Sequence, residues 1–328
     1  MRACFVAESV RHALLGTGID QMRYAAMGTL ILALAMSGDA RRPPPAATPA
    51  KARVRLILDT NFGDALMREY EHLLPNVQIE QANIVGSTAT VNAIHDGKAD
   101  LGFALADVAY FGYQRIARES TPTIQVRGIA ALELVAMHVL ARSGIDARTM
   151  HDLVHYRVGV GTALSGQPLL ASLLFHAFEL GPETVQPDRR PDLLEGVDAT
   201  IATGYYPAPN VTDAMKRGAH LIPIDGAVAE ELRGEYPFVR SLTIPAGTYP
   251  GQNTDVTTLG VERLLIASSR LDESLAHDLT RIFIETLPQM AASLHTSIRL
   301  TNLEQASATP IPLHEGAAQY YRERELRR

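Results

Sequence analysis

Four stretches of this chain place glycine or alanine beside hydroxylic or acidic residues where an extended segment hands over to a helical one. They are Gly86-Ser87-Thr88, Ala106-Asp107, Gly161-Thr162 with Ser165-Gly166, and Gly204-Tyr205-Tyr206. The start of a helix has free backbone N–H groups, and small residues leave those groups open to an anion. Ser87 or Thr88, and Asp107, also suit the plainer task of capping, since their side-chain oxygens accept from the same amides. Four junctions drawn from both halves of the chain favour ligand capture, because a cleft that gathers them holds a carboxylate without any arginine. Tyr205, Tyr206 and Tyr249 can wall such a cleft, offering an apolar face and a hydroxyl each, or serve as ordinary half-buried tyrosines. Arg142 and Arg157 are carboxylate clamps by residue type and solvent-facing by position.

Enzymatic alternatives fit the spacings less well. His151 and His155 stand at i and i+4, as metal-binding imidazoles on a helix do, but Asp152 occupies the place where a zinc protease carries its glutamate base. The segment is also brief and leads straight into a strand. His95, His138 and His176 are lone and read as structural. Ser165 lacks the flanking glycines of a nucleophile elbow, and Gly159-Val160-Gly161 continues without the third glycine of a dinucleotide fingerprint. No catalytic residue, metal or cofactor is therefore assigned. A periplasmic hydrolase stands as the reading from another class, to be recognised by turnover of ester or peptide substrates.

The elements that must position these junctions alternate along the chain. Short strands are expected at Val54–Leu58, Val77–Ile84 and Leu101–Leu105, with helices over Asp64–Leu74, Thr88–His95 and Asp107–Arg118. Gly128 to Ala141 is an almost unbroken apolar run, with Glu133 and His138 inside it, and reads as a strand crossing between lobes. A second unit follows: strands at Arg157–Val160, Val197–Ala202 and Leu221–Ile224, helices at Gln167–Leu180 and Val211–Lys216. Thr258 to Ser268 reads as the strand that returns. Glu273 to Leu294 is a long helix broken near Pro288, and the charged tail Tyr321 to Arg328 is expected to fray. Short apolar strands each followed by a helix indicate an α/β protein with a mixed sheet and helices on both faces. Ligands of such sheets sit beyond the carboxyl ends of the strands.

Composition supports a binding role. The chain has 328 residues, 46 % of them hydrophobic and 20 % charged, with a formal charge of −6. A mildly acidic chain with no basic block argues against nucleic acid as a partner. The single cysteine, Cys4, precedes an apolar run from Tyr24 to Met36 that follows Arg23. That run is shorter than the roughly 20 residues a membrane span needs and suits a signal peptide, with Gly38-Asp39-Ala40 as the cleavage site. Residues 1–40 are thus read as a signal peptide, with Met22 as an alternative start, and residues 41–53 as a proline- and alanine-rich linker.

The densest punctuation is Thr243-Ile244-Pro245-Ala246-Gly247-Thr248-Tyr249-Pro250-Gly251-Gln252, a shaped loop that is neither helix nor central strand. It closely resembles the Ile-Pro-Ala-Gly-Thr-Tyr-Pro-Gly segment of the TAXI family, the solute-binding proteins of TRAP transporters. Gly86-Ser87-Thr88 with Asn92 is similar to that family's Gly-Ser-x-x-Asn loop. Asp96-Gly97-Lys98-Ala99-Asp100-Leu101 followed by Asp107-Val108-Ala109 is similar to its Gly-Glu-Ala-Asp-Leu and Ser-Asp-Val-Ala segments. Arg142-Ser143-Gly144-Ile145, Val158-Gly159-Val160-Gly161, Leu221-Ile222-Pro223-Ile224-Asp225 and Pro310-Ile311-Pro312-Leu313-His314 extend the likeness, which runs over residues 77 to 323. One departure stands out. Where the family has a glycine-rich loop with two tyrosines, this chain has Asp59-Thr60-Asn61-Phe62-Gly63-Asp64, and two added carboxylates repel a dianion and welcome an ammonium group.

The resemblance implies a type II periplasmic-binding-protein-like fold, with each lobe a mixed sheet flanked by helices and the ligand cleft between them. Lobe one is expected from residues 54–137 and 241–328, lobe two from residues 138–240. The ligand residues implied are Asn61, Gly86, Ser87, Thr88, Ala106, Asp107, Gly161, Thr162, Ser165, Gly204, Tyr205, Tyr206, Thr248 and Tyr249. The expected activity is capture of a small organic acid or amino acid, glutamate-like, in the periplasm. Its partners would be that solute and the membrane subunits of a TRAP transporter, met only transiently. A periplasmic sensor serving a signalling receptor is the alternative within the same class. N-terminal sequencing of the exported protein should begin near Arg41, and retention of residues 1–40 would refute cleavage.

Overall fold

The computed structural model of the protein describes residues 51–58, 61–118, 125–160, 167–180, 184–185, 193–293 and 303–327. Residues 1–50, on which the expected signal peptide and most of the expected linker fall, and the loop holding Gly161, Thr162 and Ser165 lie outside the described residues. Strand β1 (Ala52–Ile57) leads through helix α1 (Asn61–Leu73) to β2 (Val77–Ala82), and α2 (Ser87–His95), β3 (Leu101–Leu105) and α3 (Ala106–Ala117) follow. Next come β4 (Val126–Ala141), β5 (Val158–Val160), α4 (Gln167–Ala177), β6 (Thr184–Val185), β7 (Ala199–Gly204), α5 (Pro209–Lys216), β8 (His220–Ile222) and α6 (Gly226–Glu235). The chain returns through β9 (Val239–Ile244) and β10 (Val256–Ser268) and ends with α7 (Glu273–Ser293) and α8 (Glu315–Leu326).

These strands make one mixed sheet in the order β2-β1-β3-β10-β4-β7-β5-β6, with β8 beside the end of β4 and β9 beside the start of β10. Its geometry decides where a ligand can sit. β1 and β3 are parallel, β10 is antiparallel to β3, and β4 is antiparallel to β10, so β4 runs in the same sense as β3. β7 is antiparallel to β4 and parallel to β5. The carboxyl ends of β1 and β3 therefore point toward the second half of the sheet, and those of β5 and β7 point back toward the first. The two sets meet where β4 and β10 cross from one half to the other.

Burial explains why these two strands are so apolar. Val126 to Ala141 is covered on both faces except at Arg127 and Leu134, and β10 is covered from Thr258 onward. On one face a continuous core joins α2 and α3 to α4 and α6, running from Ile94 and Ala109 through Met137 and Val139 to Leu174 and Leu232. On the other face α1, α7 and α8 cover the first half through Leu66, Phe283 and Tyr320. The second half is covered there by Val211 and Met215 of α5 together with Ile244 and Tyr249, so the segment after β9 packs on this second half. Gly112 allows α3 to press on α2, since a Cβ there would lie 2.6 Å from the Val91 side chain. No helix among the described residues is long and apolar enough to cross a membrane.

Several expectations need correction. Helix α1 starts at Asn61 instead of Asp64, because Phe62 packs into the core against Phe103 and Phe283. Helix α7 runs unbroken through Pro288. Proline removes one internal hydrogen bond, and the packed row of Leu279, Phe283, Leu287 and Met290 holds the axis. The tail from Tyr321 is helical up to Leu326, with Tyr321 buried and its hydroxyl donating to the Ile129 carbonyl at 3.1 Å. Helix α6 and strand β9 are additions to the expected elements, since neither carries a strong periodic signal.

At the crossing, Gly260 has no room for a side chain. A Cβ would meet the Leu242 side chain and sit 2.7 Å from the Val135 carbonyl oxygen. Gly260→Ala should destabilise the protein by about 1–3 kcal/mol in urea titration, as overpacking does. An unchanged midpoint would show that the crossing strands are loosely joined.

Candidate functional site

Arg263 and Glu133 face each other across β10 and β4 at the crossing, and Arg263 is also opposite Leu105, the last residue of β3. Their side chains are buried, and Arg263 Nε lies 2.5 Å from Glu133 Oε1. An isolated charge in such surroundings is costly, so the two are held as a pair. The guanidinium is further enclosed by aromatic rings, 4.8 Å from the centroid of Phe103 and 5.9 Å from those of Phe62 and Tyr205. The Tyr205 hydroxyl donates to Glu133 Oε1.

That one ion pair joins junctions distant in sequence. Phe62 stands in the first turn of α1, Phe103 in the middle of β3 with Leu105 at its end, and Tyr205 immediately after β7. Ser87 ties in the fourth: its Oγ accepts from the Leu105 amide at 3.0 Å. Ser87 is thus not a cap, since Gly86 (φ 95°) occupies the cap position and α2 has no side-chain cap. Asp107 is not a cap either; Leu105 takes that place and α3 begins without an intervening loop. Thr88 is exposed, Gly86, Gly204 and Tyr206 are half-buried, and Ala106 is fully buried. Asn61 opens α1. The structure brings Ser87, Ala106, Asp107, Gly204 and Tyr205 to the crossing.

The remaining tyrosines have structural partners. Tyr206 donates to the Thr243 carbonyl at 3.2 Å. Tyr249 is buried, accepts from the Ala208 amide at 3.0 Å and lies 2.8 Å from His138 Nε2, so its proton is directed to that nitrogen. Burial lowers the His138 pKa to about 4 and keeps the ring neutral. The Pro/Gly loop is organised by Gln252, whose amide donates to the carbonyls of Ile244, Pro245 and Thr254 at 3.0 Å each. Gly247 and Gly251 supply left-handed backbone there, at φ 78° and 77°. Thr248 closes back on the Pro245 carbonyl at 2.7 Å.

Arg142 and Arg157 share Asp198, with Arg142 Nη2 at 2.8 Å and Arg157 Nε at 3.7 Å. They sit at the amino end of β7, opposite to Tyr205, and knit the outer edge of the second half. Asp152, between the two histidines of the 3-10 turn His151–His155, accepts from the amides of Arg148 and Thr149 at 2.8 Å and so serves the turn.

Sequence reasoning missed Arg263 as a site residue. A signal was available: one strand read as buried contains Glu133 and the other contains Glu262 and Arg263, and buried charges occur in pairs. Asp107 is fully buried, and among the described residues no cation pairs with it. Burial pushes its carboxyl up to about 7 from an ordinary 3.8, with the Val108 amide and its own amide offsetting part of the effect. Because the folded value lies above the unfolded one, this group adds no penalty below pH 3.8, costs stability progressively as pH rises from 3.8 to about 7, and adds no further cost above that. The full swing is about 4 kcal/mol. Asp107→Asn should therefore gain on wild type as pH goes from 4 to 8 in urea titrations. A stability difference independent of pH would mean that Asp107 is not an isolated buried acid.

Comparison with known proteins agrees with this architecture. PhnD1 from Prochlorococcus marinus, solved in complex with methylphosphonate, is similar at a TM-score of 0.51 and 12 % identity, over 85 % of this chain and 99 % of that one. The periplasmic aliphatic sulphonate-binding protein SsuA from Escherichia coli matches at 0.49 and 14 % identity, over 83 % of each chain. The alkanesulfonate-binding protein SsuA from Xanthomonas axonopodis pv. citri, bound to MOPS, matches at 0.45 and 16 % identity, over 84 % of this chain and 85 % of that one. The fold is the two-lobed α/β type of periplasmic binding proteins. Residues 60–324 match the NMT1-like family, and the chain belongs to that family.

Proposed function

We propose that this chain is an exported solute receptor that closes two lobes over a small organic acid or amino acid and delivers it to a TRAP-type secondary transporter. The observation that carries this reading is the meeting of opposed strand ends at the buried Glu133–Arg263 pair, with Ser87, Asp107 and Tyr205 beside it. Strand ends that face one another across a crossing are where a ligand touches both lobes. Contacts to both lobes favour the closed state, so closure reports occupancy by population shift. In this reading lobe one comprises residues 54–137 and 241–328 and lobe two residues 138–240, and Ile244 and Tyr249 of the returning segment pack with Val211 and Met215.

The helix starts at Gly86-Ser87 and Ala106-Asp107, with Thr162 from the segment ahead of α4, would hold a carboxylate through backbone amides. Tyr205 and Tyr206 would form its wall, with Thr248 and Tyr249 fixing the segment behind them. The TRAP partnership rests on the motif likeness, strongest in the Ile244 to Gly251 loop; the membrane subunits and their ion gradient would do the transport itself. The periplasm is the compartment that fits the apolar leader and this kind of fold. Binding without turnover is the expected activity.

A thermal-shift screen of the whole chain against amino acids, keto acids and dicarboxylates tests the reading. A true ligand at a hundredfold its Kd stabilises by about 2.7 kcal/mol. Ser87→Ala and Thr162→Ala should each weaken that ligand by about 1 kcal/mol. A screen in which no solute raises the melting temperature would reject the receptor reading.

A further inference from the structure

The two faces of the sheet join the halves of the molecule in different ways. Where α2, α3, α4 and α6 cover it, one core runs without interruption from the first half into the second. Four rings fill that core beside the crossing. Tyr110 and Phe111 of α3 meet Tyr236 and Phe238, which lie between α6 and β9, at centroid separations of 5.3, 5.6 and 6.0 Å. Phe238 is fully buried, and the next residue, Val239, pairs with Val261 of β10. On the opposite face the described residues form two separate cores, one under α1, α7 and α8 and one under α5. The Glu133–Arg263 pair lies on this second face, since its ring partners Phe62 and Phe103 belong to the first of the two cores. Tyr205 reaches the pair from the end of β7, with its hydroxyl on Glu133 and its ring over Arg263, while its neighbour Tyr206 packs on the other core.

We propose that the lobes swing about the ring cluster of the α3–α6 face, that the molecule opens on the α1–α5 face, and that Tyr205 is the latch holding that face shut. The inference rests on the two-lobe closure of the receptor reading and adds its direction and its latch. A hinge needs one side that stays packed and another that parts. Parting the α3–α6 face would tear a continuous apolar core and put four rings into water, which is the costlier break. Across the α1–α5 face the two cores are already distinct, and the Tyr205 bond to Glu133 bridges them. That bond has an ionised acceptor, so it belongs to the stronger class of hydrogen bond. Water takes the place of the hydroxyl when the latch parts, so opening leaves no orphaned carboxylate oxygen. The latch therefore biases the population toward the closed form without locking it.

Distances between paired spin labels on the full chain test the direction of opening. One pair spans the α1–α5 face (Arg68→Cys with Asp213→Cys) and the other the α3–α6 face (Ala117→Cys with Glu231→Cys), all at exposed positions. Cys4→Ser supplies the background, because Cys4 is the single cysteine. With Tyr205 intact, the α1–α5 pair should give the broader distance distribution of the two. Tyr205→Phe keeps the ring and removes the hydroxyl. It should raise the ratio of long to short α1–α5 distances about tenfold and leave the α3–α6 distances unchanged. Widening across α3–α6 that equals or exceeds the widening across α1–α5 would overturn the proposal, as would a Tyr205→Phe chain whose two distributions match those with Tyr205 intact. Should Tyr205→Phe fail to fold, the relative breadth of the two distributions with Tyr205 intact decides the direction of opening. No solute enters the measurement, so a failed latch leaves the receptor reading to its thermal-shift screen, and a blank screen leaves the latch to these distances.

Discussion

A guanidinium and a carboxylate buried side by side at the crossing of two long strands set the terms for the surrounding structure. Removing either partner of such a pair leaves an uncompensated charge in the interior, at a cost of about 3–5 kcal/mol. Arg263 and Glu133 are consequently fixed in register, and the register fixes which strand ends oppose each other. Phe62, Phe103 and Tyr205 then complete the enclosure by presenting ring faces to the cation, an interaction that strengthens when water is excluded. Each ring comes from a different element: the first turn of α1, the middle of β3 and the residue after β7. The ion pair acts as a common anchor for corners that have no sequence proximity.

In the proposed site, with Arg263 engaged by Glu133, an anion would be held by backbone amides at the helix starts. Ser87 contributes by holding the Leu105 amide, so that the starts of α2 and α3 stay adjacent. Asp107 is retained at a position where burial opposes its charge.

Much of the fold was legible in the sequence because its strands are short apolar runs bounded by helical periodicity. β3 was placed to the residue, and β4 and β10 to within two residues, since strands buried on both faces leave an unmistakable apolar signature. Helix α6 and strand β9 were missed because Gly226, Gly234 and alternating polar residues weaken both patterns. Pro288 misled for a tertiary reason: packing of α7 against α1 and α8 outweighs one absent hydrogen bond. The site was half legible. Junction glycines and hydroxyls advertise themselves locally, whereas the partnership of Glu133 with Arg263 spans a long stretch of chain and emerges only once strand order is known. Thr248 and Tyr249, conspicuous in sequence, shape a loop through Gln252 and His138.

The place of β10 in the sheet has a consequence for how the molecule is made. It lies between β3 and β4, so the first half cannot close its sheet until a strand near the far end of the chain arrives. Helices α7 and α8, which roof that half, come later still, and the segment before α8 pairs with Gly128 through Pro312 and His314. A ribosome delivering this polypeptide would finish β1 to β4 long before their neighbour exists. The joining of β3 to β4 is therefore among the late events of assembly, possible only once Val256–Ser268 has been made.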